Sequence, residues 1–194
     1  TSGIEFLMKK NKGDYYKGGG NVSDATTINI DLNDGKTESI NSKNTIIATG
    51  SDPSPLPGGA LTIDEKRVIS STGALELKEV PKKLVVIGGG VIGLEMGSVY
   101  SRLGSEVVVV EFMDRIMPTF DKEISRTFTN ILKKRGFKFM MNTKVTGGDV
   151  TKDNVKLSLE GVDGKKLEDL DADYVLIATG RRPYTDGLNL EQIG

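Results

Sequence analysis

The sequence predicts an α/β fold. A parallel β-sheet carries helices and an appended β-hairpin or meander, and part of a second, similar domain precedes it. Three observations carry this. Residues 83–141 run strand, helix, strand, helix, strand. Their strands are apolar on both faces, as sheets covered by helices require. A set of features in residues 27–50 recurs in residues 155–180.

In chain order, residues 5–10 and 14–17 read as short strands, followed by the run Gly18, Gly19, Gly20. Residues 27–32 (T-I-N-I-D-L) alternate apolar and polar, the period of a half-buried strand. Asn33-Asp34-Gly35 is a hairpin turn, and residues 37–40 return. Residues 45–50 (T-I-I-A-T-G) read as a buried strand. Residues 51–59 (S-D-P-S-P-L-P-G-G) form a linker stiffened by three prolines, and a domain boundary is placed there.

Residues 83–87 form a short buried strand that ends in a glycine-rich turn, residues 88–93. Residues 91–103 carry apolar side chains at 92, 96, 99, 100 and 103, a helical spacing, and Gly104 ends the helix. Residues 106–111 (E-V-V-V-V-E) form a central strand. Asp121 caps a second helix with Ile124, Phe128, Ile131 and Leu132 on one face. Lys133, Lys134 and Arg135 complement its carboxyl end, and Gly136 stops it. Residues 137–141 form the third strand, and right-handed crossovers are expected between these strands. Residues 155–160 and 165–170 flank a turn at 162–164, and residues 174–180 close the series.

Composition narrows the chemistry. The 194 residues carry 26 Lys and Arg against 27 Asp and Glu, a net charge of −1. That balance has no electrostatic footprint for nucleic acid or an anionic membrane. No apolar run approaches a bilayer span. With no Cys and no His, this chain holds no disulfide, thiol nucleophile, imidazole base or thiolate metal site. No metal is expected. Glycine is abundant, 24 residues, or roughly 12% where ~7% is usual.

The repeat sets the domain expectation. I-I-A-T-G ends at Gly50 and L-I-A-T-G at Gly180, each preceded by an Asp-Gly turn. The second copy also has a glycine-rich turn upstream, at Gly88. The equivalent turn of the first copy would fall before residue 1. The expectation is a fragment: residues 1–51 the end of one nucleotide-binding domain, 52–182 a complete second one, and 183–194 the start of a return segment.

The chemistry concentrates at residues 88–93, G-G-G-V-I-G, a G-x-G-x-x-G pattern after a strand and opening a helix. Gly88 permits the tight turn, Gly90 lets a pyrophosphate approach, and Gly93 lets the helix pack closely on the sheet. The helix amino end offers free N–H groups and a positive dipole to phosphate. Glu111 ends the next strand, at the position expected to hold a ribose diol. Its charge would repel a 2′-phosphate, so the reading favours NAD over NADP. A solvated strand end is the plainer alternative for Glu111. Glu95, in the first turns of the helix, faces either the reacting end of a dinucleotide or solvent.

These segments resemble a known family. V-V-I-G-G-G-V-I-G-L-E-M-G-S-V-Y, V-E-F, R-G-F-K-F-M-M-N-T-K-V-T-G and I-A-T-G-R-R-P-Y-T closely resemble the dihydrolipoamide dehydrogenases, flavin-dependent disulfide reductases that serve 2-oxoacid dehydrogenase complexes. I-A-T-G-S at 47–51 and S-S-T-G-A-L at 70–75 fit as well. The resemblance implies a Rossmann-like NAD-binding domain in which Gly88, Gly89, Gly90, Val91, Ile92, Gly93, Leu94 and Glu95 surround the pyrophosphate turn, with Glu95 near the nicotinamide. It implies that Glu111 holds the adenine ribose, that Val145 contacts the adenine through its backbone, and that Gly180 lines the nicotinamide side. Gly20, Thr49, Gly50 and Ser51 would touch FAD.

The resemblance further implies an oxidoreductase of the cell's redox balance. Electrons pass from dihydrolipoamide through a Cys pair and FAD to NAD. The implied partners are the lipoyl domain and, in the parent, a second subunit of a homodimer. The implied location is the mitochondrial matrix, with bacterial cytoplasm as the alternative. Lacking the Cys pair and the His, the fragment itself holds no catalytic residue and is expected to be inactive alone. Fragments of a sibling reductase or an NADH oxidase, and a non-catalytic NAD-binding module, remain as alternatives.

Overall fold

The structure, a computed structural model, describes residues 2–193 and divides into two compact units. One runs to Ser51 and resumes at Pro183; the other is Asp52–Arg182.

In the first unit, helix α1 (Ser2–Lys10) precedes a three-stranded antiparallel sheet of β1 (Gly18–Val22), β2 (Thr27–Leu32) and β3 (Thr37–Asn41), in that order. The turn after β2 holds Gly35 at φ 86°, as an Asp-Gly hairpin requires. Three expectations are corrected. Residues 5–10 are helical, because Ile4, Leu7 and Met8 recur at helical rather than alternating spacing. Residues 45–50 are not a buried strand. They join no strand ladder among the described residues, and Ile46 is 90% exposed; the Gly50 carbonyl accepts from Tyr184 N–H at 3.0 Å. Residues 14–17 also form no strand, and β1 begins inside the glycine run.

The second unit is layered. After β4 (Val68–Ile69) and α2 (Ser71–Glu76) come β5 (Lys83–Ile87), α3 (Val91–Arg102), β6 (Glu106–Val110), α4 (Lys122–Lys134) and β7 (Lys138–Met140). An antiparallel meander follows, β8 (Thr143–Val150), β9 (Val155–Gly161) and β10 (Leu170–Ala172), before the closing strand β11 (Tyr174–Ile177). Five strands form an all-parallel sheet ordered β4-β11-β5-β6-β7.

Alternation within each strand builds two cores. Val85, Ile87, Val108, Val110, Val175 and Ile177 pack toward the meander, with Val155, Leu157 and Leu159. Leu84, Val86, Val107, Val109 and Leu176 pack toward the helices, with Leu94, Tyr100 and Leu132. This is why K-L-V-V-I and E-V-V-V-V are apolar on both faces.

The helical faces depart from expectation. On α3, Val99 and Leu103 are exposed while Gly93, Leu94, Gly97 and Tyr100 are buried. On α4, Ile124 and Ile131 are exposed while Ser125 and Leu132 are buried. At Gly93 and Gly97 α3 lies too close to its neighbours for a side chain. A Cβ on Gly97 would stand 3.0 Å from the Phe137 ring. Asp121 caps α4 as expected, accepting from Glu123 N–H at 2.8 Å. Strand β8 was not foreseen; its Thr-Gly-Gly-Asp stretch carries little strand propensity. Residues 165–170 supply only a single bridge, Lys166 to Glu160, before β10 begins at Leu170.

Candidate dinucleotide site

The carboxyl ends of β5, β6 and β11 meet at one edge of the parallel sheet. In open α/β sheets such an edge is where ligands gather. A cleft of about 650 Å³ opens there, within the usual range for a small-molecule site.

Its floor is the turn after β5. Gly88 sits at φ 107°, and a Cβ there would lie 2.5 Å from the Ala178 carbonyl oxygen, at the end of the neighbouring strand β11. Only glycine allows both the conformation and the approach. Gly93 is buried beneath: a Cβ would strike the Gly88 carbonyl and come within 2.9 Å of Val86. Gly90 differs, because a Cβ on it would meet nothing within 4 Å. Its missing side chain opens toward the cleft, the space a diphosphate would need.

Gly90 caps α3 with no side-chain acceptor, and the Leu94 N–H donates back to the Gly90 carbonyl. The amides of Gly90, Val91 and Ile92 have no acceptor among the described residues, and all three residues line the cleft. Free amides at the positive end of a helix dipole are a ready anion cradle.

Glu111 stands immediately after β6, 8% exposed and lining the cleft. Its Oε2 accepts from Gly89 N–H at 2.6 Å and its Oε1 from Met113 N–H at 2.8 Å. Each oxygen retains acceptor capacity, which suits a vicinal diol. The alternative of a solvated strand end is therefore not what the structure places here.

Of the other predicted site residues, Gly88, Val145 and Gly180 line the cleft. Val145 is buried and paired with Leu159 of β9. Gly89 turns its N–H toward Glu111, while Gly93 and Leu94 pack under the turn. Glu95 is exposed on α3 and does not line the cleft. Gly20, Thr49 and Gly50 belong to the other unit and Ser51 closes its first segment. There Gly20 pairs with Ile30 in the β1–β2 ladder, and the Thr49 hydroxyl donates to the Tyr184 carbonyl at 2.5 Å. None of these four residues lines the cleft.

Sequence reasoning did not single out Ser71, Met113, Thr143 and Lys144, which also line the cleft. Lys144 pairs with Glu160 at 2.8 Å. The signal for Met113 and Thr143 was their closeness to Glu111, whose carbonyl accepts from Thr143 N–H at 3.0 Å.

Fold and site together define an α/β protein with an anion-cradling glycine turn at the carboxyl end of a parallel sheet. The chain belongs to the pyridine nucleotide-disulphide oxidoreductase family, whose model matches residues 1–194. It is 57% identical to the dihydrolipoamide dehydrogenase of Chaetomium thermophilum over 195 aligned residues, covering 100% of this chain and 38% of that protein. It is 53% identical to the mitochondrial dihydrolipoyl dehydrogenase of Pisum sativum, again covering 100% of this chain and 38% of that protein. The chain therefore spans well under half the length of these relatives. Among solved structures it resembles the Cu(II) complex of the HOCl-induced flavoprotein disulfide reductase RclA from Escherichia coli. The TM-score is 0.76 at 28% identity, covering 98% of this chain and 43% of that one.

Proposed function

We propose that residues 52–182 bind NAD(H) within a dihydrolipoamide dehydrogenase, and that residues 1–51 supply part of an FAD site through Gly20, Thr49, Gly50 and Ser51. The observation that carries the reading is the pairing of an open amide cradle at Gly90, Val91 and Ile92 with the Glu111 carboxylate at one cleft. The unpartnered amides and the empty space above Gly90 fit a diphosphate. Glu111 fits a ribose diol and repels a 2′-phosphate. Nicotinamide and flavin would supply the redox chemistry; this chain's part is to bind and orient.

Within that reading the amides hold the pyrophosphate, Glu111 fixes the adenosine end, and Gly180 and Glu95 flank the nicotinamide end. Identity above 50% to dihydrolipoyl dehydrogenases over the full chain supports lipoamide as the parent's substrate and the lipoyl domains of 2-oxoacid dehydrogenase complexes as its partners. A homodimeric parent and a mitochondrial setting, as in the pea relative, belong to the same reading.

Calorimetric titration of the chain with NADH and with NADPH is the test. NADH binds more tightly, and Glu111→Ala weakens NADH while narrowing the gap between the two. Equal affinity for both cofactors in the unaltered chain would refute the assignment.

A further inference from the structure

A second cavity, of about 420 Å³, lies in the same unit against α4. Lys122, Arg126, Asn130 and Lys133 follow one another around one face of the helix, at spacings of three and four residues. With Thr129 and Arg115 they line the cavity above Phe139. Four cations thus face one acid, Asp114.

Arg115 contacts Asp114 at 3.1 Å and donates to the Pro118 carbonyl at 3.0 Å, but its Nε is buried with no hydrogen-bond partner. Lys122, Arg126 and Lys133 make no ion pair among the described residues. Lys122 and Arg126 stand four residues apart, and like charges at that spacing repel and weaken a helix. A buried guanidinium N–H without an acceptor is costly. Both costs disappear when an anion with several oxygens sits in the cavity.

We propose that this cavity binds a small molecule carrying two or more linked phosphates. The Arg115 Nε–H would donate to a phosphate oxygen, Lys122, Arg126 and Lys133 would neutralise the chain of charge, and Phe139 would floor it. The site is lined by different residues from the Gly88–Gly93 cradle and is independent of the NAD reading.

The test is calorimetric titration of the chain with tripolyphosphate and, in parallel, with ATP, each in the presence of saturating NADH. The expected result is 1:1 binding that weakens steeply with added salt. Arg126→Glu lowers the affinity about tenfold or more while leaving NADH affinity unchanged. Lys122→Glu does the same, and far-UV circular dichroism checks that each variant is folded. Tighter binding of ATP assigns the site to a nucleotide, and equal binding assigns it to bare polyphosphate. No binding in either arm overturns the proposal. So does binding seen only without NADH and unchanged by Arg126→Glu, which would place the anion at the glycine turn. Failure of NADH itself to bind would bear on the first cleft alone.

Discussion

Gly88 and Gly90 stand two residues apart in one turn, yet alanine should act on them in opposite ways. At Gly88 an added methyl group meets two obstacles. The backbone is at φ 107°, which costs a non-glycine residue roughly 1–2 kcal/mol. The new Cβ would lie 2.5 Å from the Ala178 oxygen and 2.8 Å from its carbonyl carbon, main-chain atoms of a buried strand end. Relieving such a clash costs about 1–3 kcal/mol. Gly88→Ala should therefore destabilise the chain by about 3 kcal/mol, or roughly 6–12 °C in Tm for a chain of this size. At Gly90 the backbone is at φ −80° and the methyl group meets open space, so only the capping preference is lost, about 0.5–1 kcal/mol. On the proposed reading, that methyl group nevertheless fills the space a diphosphate would take. Gly90→Ala should keep a near-native Tm and lose NADH affinity about tenfold or more, equivalent to about 1.4 kcal/mol per factor of ten. Thermal unfolding by circular dichroism and NADH calorimetry on both variants separate the two effects. A Gly88→Ala protein as stable as the parent, or a Gly90→Ala protein that binds NADH normally, would refute the reasoning.

Asp64 gives a pH prediction. Burial pushes its carboxyl upward, but the backbone N–H groups of Lys66, Val68 and Arg67 together outweigh that and hold it below the ordinary Asp value. A carboxyl lowered on folding contributes stability above its unfolded value, about pH 4, and loses it as pH falls through the folded value. Urea midpoints at pH 7 and pH 3 should therefore differ less in Asp64→Asn than in the unaltered chain; an unchanged difference would exclude this turn as a contributor. Leu132 is fully buried between α4 and the sheet, so Leu132→Ala should cost about 3–4 kcal/mol in urea unfolding. A loss below about 1 kcal/mol would mean that the site collapses around the missing methyl groups.

The parallel sheet and the glycine turn were legible because their signals are local and redundant. β5 and β6 are apolar on both faces, and the turn between β5 and α3 is written in glycines whose spacing has a steric reason. Glu111 was legible for the same reason, since strand ends recur at regular distance in such units. The faces of α3 and α4 were legible only in part. Apolar periodicity correctly includes Tyr100 and Leu132 in the core, with Met96 and Phe128 against it, but it also points to Val99, Leu103, Ile124 and Ile131, while Gly93, Gly97 and Ser125, which carry no apolar signal, are buried instead. Residues 45–50 show the converse: a run that reads as a buried strand needs a neighbouring strand, and among the described residues only its end, at Thr49 and Gly50, bonds another segment, at Tyr184. Residues 5–10 read as a strand because an apolar cluster as short as I-E-F-L-M fits both periods until its spacing is counted. The second cavity was missed because the cations of α4 look like an ordinary solvated face until Arg115 and Phe139 are brought beside them.

Glu111 is also a strut. By accepting from both Gly89 and Met113, its carboxylate ties the loop after β5 to the loop after β6. If Glu111 selects the cofactor as proposed, swapping this one acid for a neutral or basic side chain to favour the phosphorylated cofactor would remove the tie along with the discrimination. A working conversion must rebuild an acceptor for each amide before it adds a cation, so cofactor preference and the shape of the cleft mouth change as one character rather than two.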